Sequence, residues 1–116
     1  MKRKTLRKHK DFIMPRNNLS VSIDKIVYIR AKQTETPGDA RYGVMAQKRL
    51  FKHAVQRNRA KRLLRDWIAF HEDLMSPELD YIFIANDGIL DISRTDGRNG
   101  IKSGIMQINK SYGKTV

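Results

Sequence analysis

The chain has 116 residues and a formal net charge of +12 at pH 7, with 24 Lys and Arg against 12 Asp and Glu. This length predicts a single domain over residues 1–116, of which residues 1–5 are a flexible basic arm, and the charge indicates a polyanionic partner. The absence of Cys excludes disulfides and Cys-type zinc sites. No apolar run approaches the roughly 18 residues of a membrane span, and the basic start lacks the apolar segment of a signal peptide, so we expect a cytoplasmic protein without a membrane partner.

The positive charge is concentrated in the first part of the chain. Residues 1–65 contain 19 Lys and Arg against 4 acids, whereas residues 66–116 contain 5 against 8. Residues 41–65 contain nine basic residues and no acid. A solvated, salt-bridged helix face alternates in sign, so this distribution favours a surface that binds a polyanion, most simply nucleic acid.

The first half of the chain contains signals for one helix and two strands. Residues 6–14 predict a short helix that ends before Pro15. The β-branched and aromatic residues of 21–32 predict one strand, and Pro37-Gly38 predicts the turn that follows it. Residues 41–47 predict a second strand that pairs back on the first as a hairpin.

Residues 52–75 predict the strongest helix of the chain. Its apolar side chains fall within an arc of about 160° at 100° per residue, and basic side chains occupy most of the opposite arc. Ser76-Pro77 ends the helix. The apolar set is Ala60, Leu63, Leu64, Trp67, Ile68, Phe70, His71, Leu74 and Met75.

The last part of the chain predicts a buried strand and a weaker helix. The continuous apolar run at residues 81–85 is typical of a central, possibly parallel, strand. Ile101, Ile105, Ile108 and Tyr112 recur at helical spacing after a cap at Ser93 or Asn99. Three glycines predict that this helix is short or frayed, namely Gly97, Gly100 and Gly104.

These elements predict an α+β fold, an α/β sandwich with a small mixed sheet packed by helices. The order is α-β-β-α-β-α, with room for an additional strand. No catalytic group or metal ligand is predicted within the chain, because its three His residues lack acid partners and its carboxylates adjoin turns or solvent. Gly97-Arg98-Asn99-Gly100 matches the GxxG loop of KH-type RNA binders only weakly, since no helical pattern precedes it.

The candidate binding residues lie between Lys48 and Arg65. Arg57, Lys61 and Arg65 follow one another at a spacing of four on a helix, with Asn58 and Arg62 alongside, and we call these five side chains the comb. Arg forks and Lys ammonium groups suit phosphate oxygens, but the spacing alone does not separate RNA from DNA. The full candidate set is Lys48, Arg49, Lys52, Arg57, Asn58, Arg59, Lys61, Arg62 and Arg65.

The same residues resemble the signature of the protein component of bacterial ribonuclease P. The matches are Lys48-Arg49, Ala54-Val55, Arg57-Asn58-Arg59, Lys61-Arg62 and Arg65. Weaker matches over residues 6–12, 26–29 and 81–85 extend the resemblance to roughly residues 6–110.

The resemblance implies a protein that binds a catalytic RNA and assists removal of the 5′ leader from precursor tRNA. It also implies catalysis by the RNA with Mg²⁺ held mainly by that RNA, and a left-handed crossover between two parallel strands. Phe12 and Tyr28, with Arg7 and Lys8, match the family's leader cleft, although plain core packing of the two rings is the alternative. Pro15-Arg16 departs from the family pattern and leaves the outline of that cleft open.

Two other functions were weighed against this interpretation. Composition alone favours a structural RNA-binding protein such as a ribosomal protein, and the extended Arg57-Asn58-Arg59 signature argues against it. Binding of the basic helix in a DNA major groove lacks a helix-turn-helix partner, so DNA is not expected as a partner.

Overall fold

A computed structural model of the chain describes residues 4–5, 18–34 and 41–115. The predicted helix over residues 6–14, Pro15-Arg16 and the Pro37-Gly38 turn lie outside this part of the chain. Within it, five strands and two α-helices follow in the order β1 (Lys4–Thr5), β2 (Leu19–Ile23), β3 (Val27–Gln33), β4 (Arg41–Met45), α1 (Ala54–Phe70), β5 (Leu79–Ala85) and α2 (Arg94–Thr115). Short 3-10 helices span Glu72–Leu74 and Asp87–Asp91.

The single strand predicted over residues 21–32 is wrong, because two strands and a tight turn occupy this region. β2 and β3 pair antiparallel, with Val21 opposite Ile29. Asp24 in the turn has a φ of 43°, in the left-handed region that Asp tolerates better than β-branched residues. The apolar, β-branched pattern continues on both sides of this turn and hides it in the sequence.

The predicted hairpin between residues 41–47 and the preceding strand is also wrong. β4 pairs in parallel with β5, where Val44 lies opposite Phe83, and β5 pairs antiparallel with β3. A parallel pair needs a long connection, and α1 supplies it. The left-handed sense of this crossover stays a prediction.

The sheet has the strand order β1-β4-β5-β3-β2, so the apolar strand β5 lies at its centre, as its sequence predicts. Two residues of the predicted basic arm form β1, in which Lys4 lies opposite Arg41. The predicted α+β class is confirmed, with a mixed sheet and two helices.

Both α-helices pack on one face of the sheet and enclose the core with it. The strands contribute buried Ile29, Tyr81 and Phe83. α1 contributes Ala60, Leu64, Trp67 and Ile68, and α2 contributes Ile101, Ile105 and Ile108. The predicted end of this helix at Ser76-Pro77 is wrong, because α1 ends at Phe70 and a 3-10 helix follows it. Within α1, the predicted apolar arc is the core-facing side, with one exception, Phe70, which is 59% exposed.

α2 is a helix of 22 residues, which contradicts the short or frayed helix that its glycines predict. Ser93 caps it, since its Oγ accepts a hydrogen bond from the Asp96 N–H at 3.1 Å. A Cβ at Gly97 would lie 2.5 Å from the Trp67 indole, and one at Gly100 would lie 3.0 Å from Ile26 Cδ1. The glycines therefore permit close approach of a long helix to α1 and the sheet.

A buried polar network fixes α2 to the segment after α1. The Tyr81 hydroxyl donates to Asn109 Oδ1 at 2.6 Å and accepts from the Ser76 N–H at 2.7 Å. Asn109 Nδ2 donates to the Leu74 carbonyl at 2.7 Å. Because each of these buried groups has a partner, the network holds the helices in one arrangement without a desolvation penalty.

Candidate nucleic-acid interface

The basic residues singled out in the sequence form one surface at the start of α1 and along its outward face. Lys48 and Arg49 lie exposed in the turn before the helix, and Lys52 lies exposed just ahead of its first residue. Four further side chains are exposed on α1 and Lys61 is partly exposed, so the structure brings the predicted set together. The exposed four are Asn58, Arg59, Arg62 and Arg65.

Arg57 differs from the rest of the comb because it has an intramolecular role. Its Nη1 donates to the Phe51 carbonyl at 2.8 Å and to the Lys52 carbonyl at 3.3 Å. Phe51 is buried in the core, so these bonds fix the turn that carries Lys48 and Arg49 relative to the helix. A guanidinium has five N–H donors, so Arg57 retains others for a phosphate.

The outward face of α1 runs without a break from β4 to α2. At 100° per residue, Lys61 and Arg65 lie on the β4 side, Arg62 near the middle, and Arg59 on the α2 side. Phe70 follows Arg59 after three turns and lies within about 20° of the same line. The comb and Arg59 therefore belong to one continuous surface with a distinct α2 edge.

The comb is not neutralised by acids. Within the described parts of the chain, Asn58, Lys61, Arg62 and Arg65 make no side-chain hydrogen bond or ion pair. Three acids lie elsewhere, around an open cavity of about 650 Å³ between the β2–β3 turn and the start of α2. They are Asp24, Asp91 and Asp96. Among the described residues the comb therefore has no acidic partner, which favours binding of a polyanion on α1.

Tyr42 adds a neutral hydroxyl at the β4 edge of the comb. Burial raises the pKa of Tyr42, the Glu72 carboxylate adds to this effect, and Arg65 opposes it. Both charged groups therefore lie near the phenol, whose ring contacts Phe83 edge-on at 6.4 Å between centroids. The sequence predicted a strand here but no role for Tyr42, because a strand pattern does not show which helix covers it.

The second face of the sheet carries the predicted aromatic residue Tyr28. Tyr28, Arg30 and Lys32 alternate with the buried core residues of β3 and are partly exposed. Arg30 Nε donates to Asn18 Oδ1 at 3.3 Å. Tyr28 therefore lies on the side of the sheet opposite to α1 and α2, among cations. Phe12, Arg7 and Lys8 lie outside the described residues.

A third feature at the α2 edge was missed by sequence reasoning. The Arg98 guanidinium carbon lies 3.9 Å from the centroid of the exposed Phe70 ring, and His71 meets that ring edge-on at 4.9 Å. Burial lowers the pKa of His71, the charges of Lys102 and Arg98 add to this, and a hydrogen bond to the Arg98 backbone opposes it. Phe70 lies at the limit of the predicted apolar arc, which is the signal that it could face solvent.

The described residues contain neither a metal-binding group nor a helix that could cross a membrane. No group of three or more His, Cys, Asp or Glu side chains there has the arrangement of a metal site. No helix within residues 41–115 combines the length and apolar character that crossing a membrane requires.

The fold and the exposed basic helix define a class of protein: a small α+β domain, two helices on one face of a mixed sheet, with a cationic helix surface suited to phosphate. A family model described as Ribonuclease P matches residues 1–109. The chain belongs to the ribonuclease P protein family.

Relatives with the same description support this assignment. The chain is 37% identical over 70 residues to a ribonuclease P protein component from Marinomonas sp., an alignment that covers 60% of this chain and 52% of the relative. A relative from Marinobacter nauticus is 26% identical over 107 residues, covering 92% of this chain and 80% of the relative. The chain thus spans about half the length of the Marinomonas relative and 80% of the length of the Marinobacter relative.

Solved structures of the family share the fold. The RNase P protein of Staphylococcus aureus has a TM-score of 0.74 at 24% identity, covering 94% of this chain and 97% of that one. The Thermotoga maritima protein has a TM-score of 0.72 at 16% identity, covering 87% of this chain and 94% of that one. At these identities the likeness establishes the architecture alone.

Proposed function

We propose that this chain is the protein subunit of ribonuclease P. In this role it binds the catalytic RNA and the 5′ leader of precursor tRNA and assists the Mg²⁺-dependent endonucleolytic removal of the leader. It acts in the cytoplasm as part of a ribonucleoprotein endoribonuclease, in which the catalytic groups reside in the RNA.

One observation carries the proposal: the comb is exposed or partly exposed, and it has no acidic partner in the described parts of the chain. RNA phosphates release counterions when Lys and Arg neutralise them, and internal ion pairs would have cancelled that gain. Arg62 and Arg65 also offer planar forks that match two phosphate oxygens at once. A rigid helix holds these groups at a fixed spacing, which suits a folded RNA.

The second face of the sheet is the proposed contact for the leader. Tyr28 supplies a ring on which any base can stack, and Arg30 and Lys32 supply charges for the neighbouring phosphates. This combination tolerates different sequences, as a leader-binding surface must. It also separates the leader from the catalytic RNA, since α1 lies on the opposite face of the sheet.

Metal chemistry is assigned to the RNA in this proposal. No group of three or more His, Asp or Glu side chains in the described residues has the arrangement of a metal site. The chain's own contribution is therefore electrostatic and positional: it neutralises phosphates and orients the leader, so that the RNA needs less Mg²⁺ to fold and bind substrate.

Reconstitution with a ribonuclease P catalytic RNA and a precursor tRNA tests the proposal. We expect no cleavage by the protein alone, and a lower Mg²⁺ requirement with tighter substrate binding when it joins the RNA. Unchanged processing with and without the protein would contradict the proposal, and co-purification with ribosomes would favour the structural alternative.

Substitution of Tyr28 tests the leader contact in the same assay. Tyr28→Ala should weaken binding of substrates with leaders by roughly fivefold or more, the range for loss of one stacked base, and should spare leaderless tRNA. Tyr28→Phe keeps the ring and is the matched control. Equal losses with both substrates would show that Tyr28 only packs the sheet.

A further inference from the structure

The last residue of α1 is an aromatic side chain that the core does not cover. Phe70 is 59% exposed, although burial of a Phe side chain in the core would stabilise the fold. Its ring is nevertheless held in place, with the Arg98 guanidinium 3.9 Å from the centroid and His71 against its edge. A single exposed Phe on a protein surface needs no explanation. The Phe70 ring, however, is held between two helices by a contact with Arg98, so it presents a fixed aromatic surface to a ligand.

Cations from both helices surround this ring. Arg59 lies on the same line of α1 three turns earlier, and Lys102 follows Arg98 by one turn of α2. Both are exposed, and Asp66 is the acid on this line of α1. We call Arg59, Phe70, Arg98 and Lys102 the seam surface, because it bridges α1 and α2.

We propose that the seam surface binds an unpaired nucleotide of the RNA that the comb binds, with its base on the exposed part of the Phe70 ring and its phosphate beside Arg98 and Lys102. The proposal rests on the proposed function and extends it to a second helix. Aromatic rings interleaved with Arg and Lys are the usual means of holding unpaired nucleotides.

Continuity and charge favour RNA over a protein partner. Arg59 and Arg62 are three residues apart and adjacent on α1, so a strand bound by the comb reaches the seam surface directly. The surface carries three cations, and Asp66 is the acid on its α1 line. This charge suits a phosphate chain. The stacked guanidinium also keeps N–H groups for phosphate, while its plane orders the ring beneath it.

Substitutions at Phe70 provide the first test, measured as affinity of the full chain for the catalytic RNA. Phe70→Ala should weaken binding by roughly 5-fold to 100-fold, the range for one stacked base. Phe70→Trp should bind the RNA with near wild-type affinity, because it keeps an aromatic ring. Phe70→Leu should bind as weakly as Phe70→Ala, because Leu keeps apolar area without a ring. Met106→Ala removes another exposed apolar side chain, 52% exposed on α2, and should leave binding unchanged.

Two results of these measurements would overturn the proposal. Equal affinity of Phe70→Ala and the wild type would exclude a stacked base. Wild-type affinity of Phe70→Leu for the catalytic RNA would indicate an apolar protein contact instead. A change of oligomeric state of Phe70→Ala in the absence of RNA would indicate the same.

Arg98 and His71 provide independent readouts. Arg98→Gln should reduce the slope of log affinity against log salt by about one unit, as expected for one phosphate contact. Bound phosphate next to Arg98 and Lys102 should also raise the pKa of His71, followed by NMR titration of its ring protons with and without RNA. An unchanged slope together with an unchanged titration would contradict the phosphate contact.

The outcome separates this proposal from the proposed function. If Lys61→Gln with Arg65→Gln weakens RNA binding and Phe70→Ala does not, only the seam surface fails. If the wild-type chain does not bind the catalytic RNA, both fail.

Discussion

α1 and α2 pack on the same face of one sheet, but they do so by opposite means. α1 fills space with large side chains, among them Leu64 and Trp67, both almost fully buried. α2 has glycines where it contacts its neighbours, with Gly97 against Trp67 and Gly104 against Ile29. Large apolar residues at helical spacing thus indicate a helix from the sequence alone. The contribution of a glycine to packing depends on the residue it packs against, which is distant in sequence and is seen only in the folded structure.

The two helices also differ in what they leave for function. α1 has an outward face whose cations, from Arg57 to Arg65, have no acidic partner among the residues that the structure describes. α2 is tied to the core through Asn109 and the Tyr81 hydroxyl, and it approaches α1 closely enough to place Arg98 on Phe70. The glycines of α2 therefore matter for the interface as well as for the core.

Substitution of Gly97 should have the largest effect on stability. A Cβ there would lie 2.5 Å from rigid indole carbons, so Gly97→Ala should lower the free energy of unfolding by about 2 kcal/mol despite the better helix propensity of Ala. Gly113→Ala is the matched control, because nothing lies within 4 Å of its Cβ, and it should leave stability unchanged or raise it by up to about 1 kcal/mol. Urea unfolding measures both.

A second substitution sharpens this test. Trp67→Phe removes the indole atoms nearest to Gly97, so the double variant Gly97→Ala, Trp67→Phe should lose less stability than the two single losses added together. If Gly97→Ala unfolds at the same urea concentration as Gly113→Ala, α2 does not depend on close approach.

Substitution of Arg57 should have a smaller effect and separates positioning from binding within α1. Arg57→Gln removes the bonds to the Phe51 and Lys52 carbonyls and should lower the free energy of unfolding by about 1–2 kcal/mol, as well as weakening RNA binding. Arg62→Gln lacks such bonds and should weaken RNA binding with stability changed by less than about 0.5 kcal/mol. Equal stability of the two variants would assign Arg57 to RNA contact alone.

The strong periodic elements and the basic face of α1 could be predicted from the sequence. The amphipathic pattern predicted α1 and its basic face, and the apolar run at residues 81–85 predicted a central strand. Both depend on residue types within one segment, which is why local reasoning sufficed. The exposed comb follows from the same pattern, since a helix that buries Leu64 and Trp67 must turn Lys61 and Arg62 outward.

The failures share a physical cause in non-local contacts. The turn at Asp24 interrupts a run that is apolar on both sides, and β4 prefers β5 to β3 because α1 supplies the connection for a parallel pair. Phe70, the last residue of α1, lies under the guanidinium of Arg98 from α2. None of these partners is adjacent in sequence, so periodicity could not reveal them.

The salt dependence of RNA binding tests the central claim most directly. The variant Lys61→Gln, Arg62→Gln, Arg65→Gln removes three cations of the comb, two of them exposed and one partly exposed. The variant Lys25→Gln, Arg94→Gln, Lys110→Gln removes three exposed cations elsewhere. We predict that the slope of log affinity for the catalytic RNA against log salt falls by about two to three units in the first variant and stays near the wild-type value in the second. Equal slopes in the comb variant and the wild type, or an equal fall in both variants, would contradict the account.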